Sequence, residues 1–190
     1  MNTKNREIER LADKAYYARC IRQLKEWGAP VNGWRCTGIV DIREDDDDAP
    51  LSTCELCGCA HVRFEHVMEN DLYFEPITVG CICAGIMEDD ILAAEERERQ
   101  MHNRSKRKRN FLKHEWQHGW RGLWYRTYRG QALQIREIGG RYSVRAGGRM
   151  TTTYKGRPIT NFYSAIYTAF ALADPVEDIV CARNRSNRNW

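Results

Sequence analysis

The sequence predicts an α+β protein: an N-terminal helix, a cysteine-rich hairpin leading into a long helix, and a C-terminal three- or four-stranded antiparallel sheet backed by one helix. Three observations carry that expectation. Five of the eight cysteines crowd between Cys54 and Cys83. The glycine pairs Gly139-Gly140 and Gly147-Gly148 are two-residue turn signals bounding a run of alternating residues, as a β-meander requires. Apolar residues recur at helical spacing near both ends of the chain.

A chain of 190 residues with 42% hydrophobic content can bury one sizeable core or two small ones. Its start, MNTKNREIERLADKAYYARC, scatters charge where a leader would be apolar, so neither a secretory signal nor a membrane span is expected and the expected location is cytoplasmic. Thiols stay reduced there, which makes a cysteine cluster a metal or catalytic site more often than a disulfide framework. The net charge of +4 conceals a split: residues 1–100 hold 12 Lys/Arg against 21 Asp/Glu, or −9, and residues 101–190 hold 18 against 5, or +13. So cationic a second half attracts polyanions, nucleic acid first.

Five segments follow in order. Residues 1–50 begin with a helix over 6–27, its face formed by Ile8, Leu11, Ala12, Ala15, Tyr16, Ile21 and Leu24 and its end marked by Gly28 and Pro30. A strand over 33–43 and the acidic run Glu44 to Asp48 complete it; without spaced ligands and a turn glycine, the run reads as a solvated loop. Residues 51–93 carry the cysteines. Cys54-Glu-Leu-Cys57-Gly58 has the form of a metal knuckle, two thiolates converging across a tight turn whose glycine lets backbone N–H groups face sulfur. Strands over 62–68 and 72–79 make a hairpin around Asn70-Asp71, and Cys81 and Cys83 then open a helix.

Knuckle, hairpin and cysteine-bearing helix entry together form the layout of a treble-clef zinc finger. Four thiolates, Cys54, Cys57, Cys81 and Cys83, would close a tetrahedral structural Zn²⁺ site, with the helix dipole favouring the charge at its N-terminus. Cys-x-Cys is tighter than the usual Cys-x-x-Cys, so His66, on the same strand face as Phe64 and Met68, is the alternative fourth ligand; Cys59 and His61 rank below it.

Residues 94–120 form a basic connector. One helix is expected from Ala84 to His118, with almost no apolar stripe between Ala94 and Asn110, so that Arg104, Lys106, Arg107, Lys108 and Arg109 spread positive charge around it for phosphate binding. In residues 121–175, strands over 131–138, 141–146 and 149–155, with 123–128 as a fourth, pack one face on a helix capped by Thr160 and stopped by Asp174-Pro175. The other face shows Gln134, Arg136, Arg141, Ser143 and Arg145. Twelve of the twenty aromatics lie in 111–170, most of them needed to fill so small a core. Residues 176–190 are a tail.

The strings CELCG, RFEHVMEN, VGCICAGIMEDD and RSKRKRNFLKHEW resemble a group of small uncharacterised proteins from bacteria, plasmids and phages that share a Cys-x-x-Cys-Gly knuckle, a hairpin and a Val-Gly-x-x-Cys-Ala helix entry. The likeness covers roughly residues 54–170. It implies a zinc site on Cys54, Cys57 and Cys83, with Cys81 less fixed, and a bacterial host cytosol as the setting. The C-terminal sheet resembles the DNA-binding sheets of integrase arm-binding domains; its element order is also similar to double-stranded-RNA-binding domains, but TNFYSAIYTAFAL lacks their lysines.

These readings predict a non-enzymatic, zinc-stabilised accessory or regulatory protein of a phage or other mobile element. Its partner would be duplex DNA, read by Arg136, Arg141 and Arg145 while the basic helix tracks phosphate. A phage-encoded module that binds and inhibits a host defence complex is the alternative. An HNH-type nuclease stands third, since a closed four-thiolate zinc leaves no open coordination position. No catalytic residues and no small-molecule substrate are expected.

Overall fold

A computed structural model describes residues 3–180, with side chains from residue 13 onward. The expected contributions of Ile8, Leu11 and Ala12 to an apolar face, and most of the 176–190 tail, lie outside the described residues. The architecture is mixed α+β with antiparallel sheets. It divides into two compact units, one through His102 and the other Asn103–Ile179.

The first unit opens with α1 (Thr3–Glu26), whose buried stripe is Cys20 and Leu24, with Tyr16 half-buried one turn earlier. Strands β1 (Arg35–Asp41), β2 (Phe64–Glu69) and β3 (Ile77–Val79) form an antiparallel sheet in that order. Central β2 buries every second residue, Phe64, His66 and Met68, and pairs His66 with Ile39 on one side and Val79 on the other. The expected 72–79 strand is shorter because Asn70 turns the chain, accepting from Leu72 N through its side chain (2.9 Å) and from Tyr73 N through its carbonyl (3.0 Å). Pro76 then supplies no donor until the ladder begins at Ile77.

Two helices replace the single helix expected over 84–118. The first, α2 (Cys81–Met87), ends before Asp89, which takes a positive φ of 55°. Asp90 accepts from Ala93 N at 2.9 Å and starts α3 (Ile91–Lys113) as an N-cap. Gly85 makes this reversal sterically feasible, since a Cβ there would sit 2.6 Å from Ile91 Cα.

In the second unit, β4 (Gln117–His118), β5 (Leu123–Tyr128), β6 (Gln131–Ile138), β7 (Arg141–Ala146) and β8 (Arg149–Thr151) form a five-stranded meander. The expected 149–155 strand divides at Thr152, Thr151 Oγ1 accepting from Thr153 N, and β9 (Thr153–Tyr154) pairs instead with β10 (Arg157–Pro158). Asn161, rather than Thr160, caps α4 (Phe162–Ala173) by accepting from Ser164 N at 2.8 Å. Leu133, Ile135, Val144 and Ala146 pack against Ala165, Ala169 and Phe170 of α4 and against Phe111 of α3.

The basic run also has a core face, contrary to expectation. Arg104, Lys108 and Phe111 follow at helical spacing and all three are buried. Arg104 donates to the Asp174 carbonyl at 2.8 Å and lies over the Phe170 ring, while Lys108 lies over Tyr167. Arg107 grips the Asp174 carboxylate with two hydrogen bonds, at 2.6 and 2.9 Å. Long cationic stems thus serve as packing residues where periodicity sees only charge.

Candidate metal centre and basic sheet face

Three of the four expected thiols converge. Cys54, Cys57 and Cys83 place their sulfurs within 4.8 Å of one another, Cys54 and Cys83 almost wholly buried. Local chemistry builds each arm. The knuckle closes through Gly58 N to Cys54 O (2.9 Å) and Cys54 N to Cys59 O (2.8 Å), with Gly58 at a φ of +75° that a side chain would resist. Bridging between Ser52 and Val62 seals its base, and Glu55 N bonds to Thr78 O at 3.1 Å, stitching the knuckle to β3. Cys83 arrives from the other direction, on the buried side of α2.

A further buried sulfur lies beside this group, on an element the sequence reading assigned to packing alone. Cys20 of α1 is buried in the same core as Cys54 and Cys83, beside the three sulfurs that lie within 4.8 Å of one another. Tyr16, one turn before it, places its hydroxyl 3.0 Å from Cys83 Sγ. The signal was present as the i, i+4 series Tyr16, Cys20 and Leu24.

Electrostatics binds these groups into one system. The neighbouring Cys83 thiol draws Cys54 down to about 5, helped by backbone N–H groups of Gly80 and Cys57 and opposed by burial. Cys20 is likewise lowered, chiefly by Cys83. Cys83 itself is driven up, because Cys20 and Cys54 already flank it and it is buried. Burial, then Cys57 and Cys83, raise Tyr16. Negative charge on one sulfur therefore requires a proton on its neighbour, a conflict that a divalent cation among them removes. All seven cysteines among the described residues are free thiols, so the donor set is soft, buried and available for a metal ion.

Cys81 goes elsewhere. Residues two apart on a helix do not face each other, so at the start of α2 Cys81 and Cys83 point to different sides. Cys81 joins His66 and Glu98 in a second group whose ligand atoms also lie within 4.8 Å of one another. The alternative fourth ligand, His66, therefore stands with Cys81 rather than with the three sulfurs. Burial and then Glu98 push the Cys81 thiol up to about 12, and His66 before Cys81 holds Glu98 below the usual carboxylate range. Cys59 and His61 are exposed.

The expected basic residues divide by environment. Arg104, Arg107 and Lys108 are engaged in the core contacts described above, whereas Lys106 and Arg109 are exposed. On the sheet, register sets Gln134 opposite Arg145 and Arg136 opposite Ser143, so these four share a face, with Arg141 opposite Ile138 at its edge. Leu133, Ile135, Val144 and Ala146 fill the other face. Arg136, Arg141 and Arg145 are exposed, as expected, and Tyr125, opposite Gln134, adds an exposed ring. No helix among the described residues is long and apolar enough to cross a membrane. No protein-family model, curated protein or solved structure matches the chain.

Proposed function

We propose that this is a zinc-stabilised nucleic-acid-binding protein that binds duplex DNA, acting as an accessory or regulatory factor of a phage or other mobile element. The observation that carries the binding role is the open sheet face. Three exposed arginines project from neighbouring strands on the face opposite the apolar one, at the strand spacing of about 4.8 Å that lets a sheet enter a major groove and address guanine edges. Tyr125 adds a ring able to contact a base or sugar, and Lys106 and Arg109 are the helix residues left for phosphate.

Zinc is the ion best matched to the sulfur cluster. Cys54, Cys57 and Cys83 supply three thiolates, Cys20, buried in the same core, would move in as the fourth to close a tetrahedral site, and the Tyr16 hydroxyl stands 3.0 Å from Cys83 Sγ. Knuckle, β2–β3 hairpin and α2 make the finger treble-clef-like, with α1 adding a ligand from outside that motif. Such a site contributes folding energy, on the order of 10 kcal/mol in small zinc units.

A second reading, a module that binds and inhibits a host protein complex, is favoured by Ile138 and Met150, both more than three-fifths exposed beside the arginines. One titration separates the two. Labelled duplex DNA should bind the wild type with an affinity that falls steeply with salt, and Arg141→Ala with Arg145→Ala should weaken it by about 1–3 kcal/mol per lost base contact on a preferred sequence. Absence of wild-type binding at low salt would sink the DNA reading and leave the protein-binding one.

A further inference from the structure

The group made by His66, Cys81 and Glu98 shares no residue with the sulfur cluster, although Cys81 and Glu98 line the same cleft as its cysteines, and it has no part in the function proposed above. We propose that it is a second metal site, taking a divalent transition ion of the zinc type through His66 Nε2, Cys81 Sγ and a Glu98 carboxylate oxygen, with one coordination position left for water or a small ligand.

Four observations support it. His66 is fully buried on the central strand, and its Nε2 has no hydrogen-bond partner, an unusual state for a ring nitrogen out of reach of water. That atom faces Glu98 Oε2 at 3.9 Å, too long for a hydrogen bond and suited to an ion between them. The opposite nitrogen, Nδ1, faces Cys36 Sγ at 4.0 Å, which fixes the ring with Nε2 towards the group. Finally, Glu98 and Cys81 are only partly buried and line a cleft, giving an ion a route in.

Donor chemistry agrees. A thiolate, a carboxylate and a neutral imidazole carry two negative charges, which balance a divalent ion in a site where unpaired charge would be costly. Tetrahedral bonds of about 2.0–2.3 Å set ligands roughly 3.3–3.8 Å apart, so an ion needs to draw this group inward by no more than about 1.5 Å. A Cys-His-Glu nucleophile system fits less well. It needs the thiol on one imidazole nitrogen and the carboxylate on the other; Cys81 groups with Glu98 instead, and Cys36, which faces the other nitrogen at 4.0 Å, gives its thiol proton to the Gly38 carbonyl at 3.2 Å.

The test is metal content of the full-length protein, purified under reductant, saturated with Zn²⁺ or Co²⁺ and freed of excess. Wild type should retain two ions per chain, and Glu98→Gln and His66→Ala one each, with circular dichroism unchanged. Cys57→Ser should instead lose the fold of the first unit and with it both ions, so loss of one ion with the fold intact marks the second site and loss of both with the fold marks the sulfur site. In the cobalt form, Cys81→Ser should remove part of the thiolate-to-metal charge-transfer absorption. Should His66→Ala not fold, Glu98→Gln still decides, because Glu98 is about one-third exposed and its carboxylate can be neutralised without opening a cavity. Equal metal content in wild type and Glu98→Gln would overturn the proposal and leave His66 and Glu98 as an ion pair.

Discussion

Neutralising the basic run of α3 should produce two different phenotypes according to which residues are changed. Arg104→Gln with Lys108→Gln removes side chains that are 3% and 4% exposed. The first loses a charge-assisted hydrogen bond to the Asp174 carbonyl, worth about 1.5–3 kcal/mol, and a guanidinium over Phe170 at 4.9 Å, worth about 0.5–2 kcal/mol. Lys108 loses its place over Tyr167 at 4.7 Å, about 0.5–1 kcal/mol more. A total of about 2.5–6 kcal/mol is a large share of the roughly 5–15 kcal/mol that holds a domain together.

Hydrogen exchange reads this locally. Amides of β6 and β7 should lose protection by at least about sixtyfold in the double variant, since each 1.4 kcal/mol is a factor of ten. Lys106→Gln with Arg109→Gln, both exposed, should leave protection unchanged while weakening DNA binding and flattening its salt dependence. Protection within twofold of wild type in the Arg104/Lys108 variant would refute the packing role assigned to these cations.

Three further outcomes are expected. Cys20→Ser should lower zinc affinity and loosen α1, read as faster zinc transfer to a chromogenic chelator than in wild type; an unchanged rate would leave the site with three cysteines. Gly85→Ala should destabilise the first unit by about 1–3 kcal/mol in urea unfolding, because its Cβ meets Ile91 backbone at 2.6 Å; a neutral effect would mean that the α2–α3 turn is looser than it stands here. Tyr128 donates to Asp174 Oδ2 at 3.2 Å, and burial followed by that carboxylate raises its phenol above 10.0. Between pH 10 and the higher native value the unfolded chain binds fewer protons than the folded one, so stability should fall as pH rises, by up to about 1.4 kcal/mol per unit. Tyr128→Phe should lack that component, and identical alkaline profiles for the two proteins would contradict it.

Much of the second unit was legible in the sequence because its signals are local. Two glycine pairs place the β6–β7 and β7–β8 turns, and a period of two assigns Gln134, Arg136, Ser143 and Arg145 to one face without knowledge of anything distant. The basic helix was misread for the opposite reason. Hydrophobic periodicity treats Arg104 and Lys108 as polar, yet their stems bury against Phe170 and Tyr167, more than fifty residues away in sequence. The break at Asp89 was hidden too, since neither proline nor glycine marks it and the cap at Asp90 resembles any acidic residue.

The cysteines show most clearly where spacing stops being informative. A knuckle is a local object, so Cys54 and Cys57 could be paired from Gly58 alone. Cys81 and Cys83 belong to the first turn of a helix, where each residue advances the side chain by about 100°. Two residues therefore span about 200°, and both thiols can reach one ion only if the chain is not helical there. Because α2 begins at Cys81 itself, the pair must divide, Cys83 turning to the knuckle and Cys81 to the sheet face that carries His66. That division leaves one sulfur missing from the knuckle side and one unmatched sulfur on the other. Cys20 of α1, buried in the same core, is the proposed fourth ligand of the former, and Glu98 accompanies the latter from α3. A single helical constraint thus accounts for both the three-sulfur group and the mixed His-Cys-Glu group beside it.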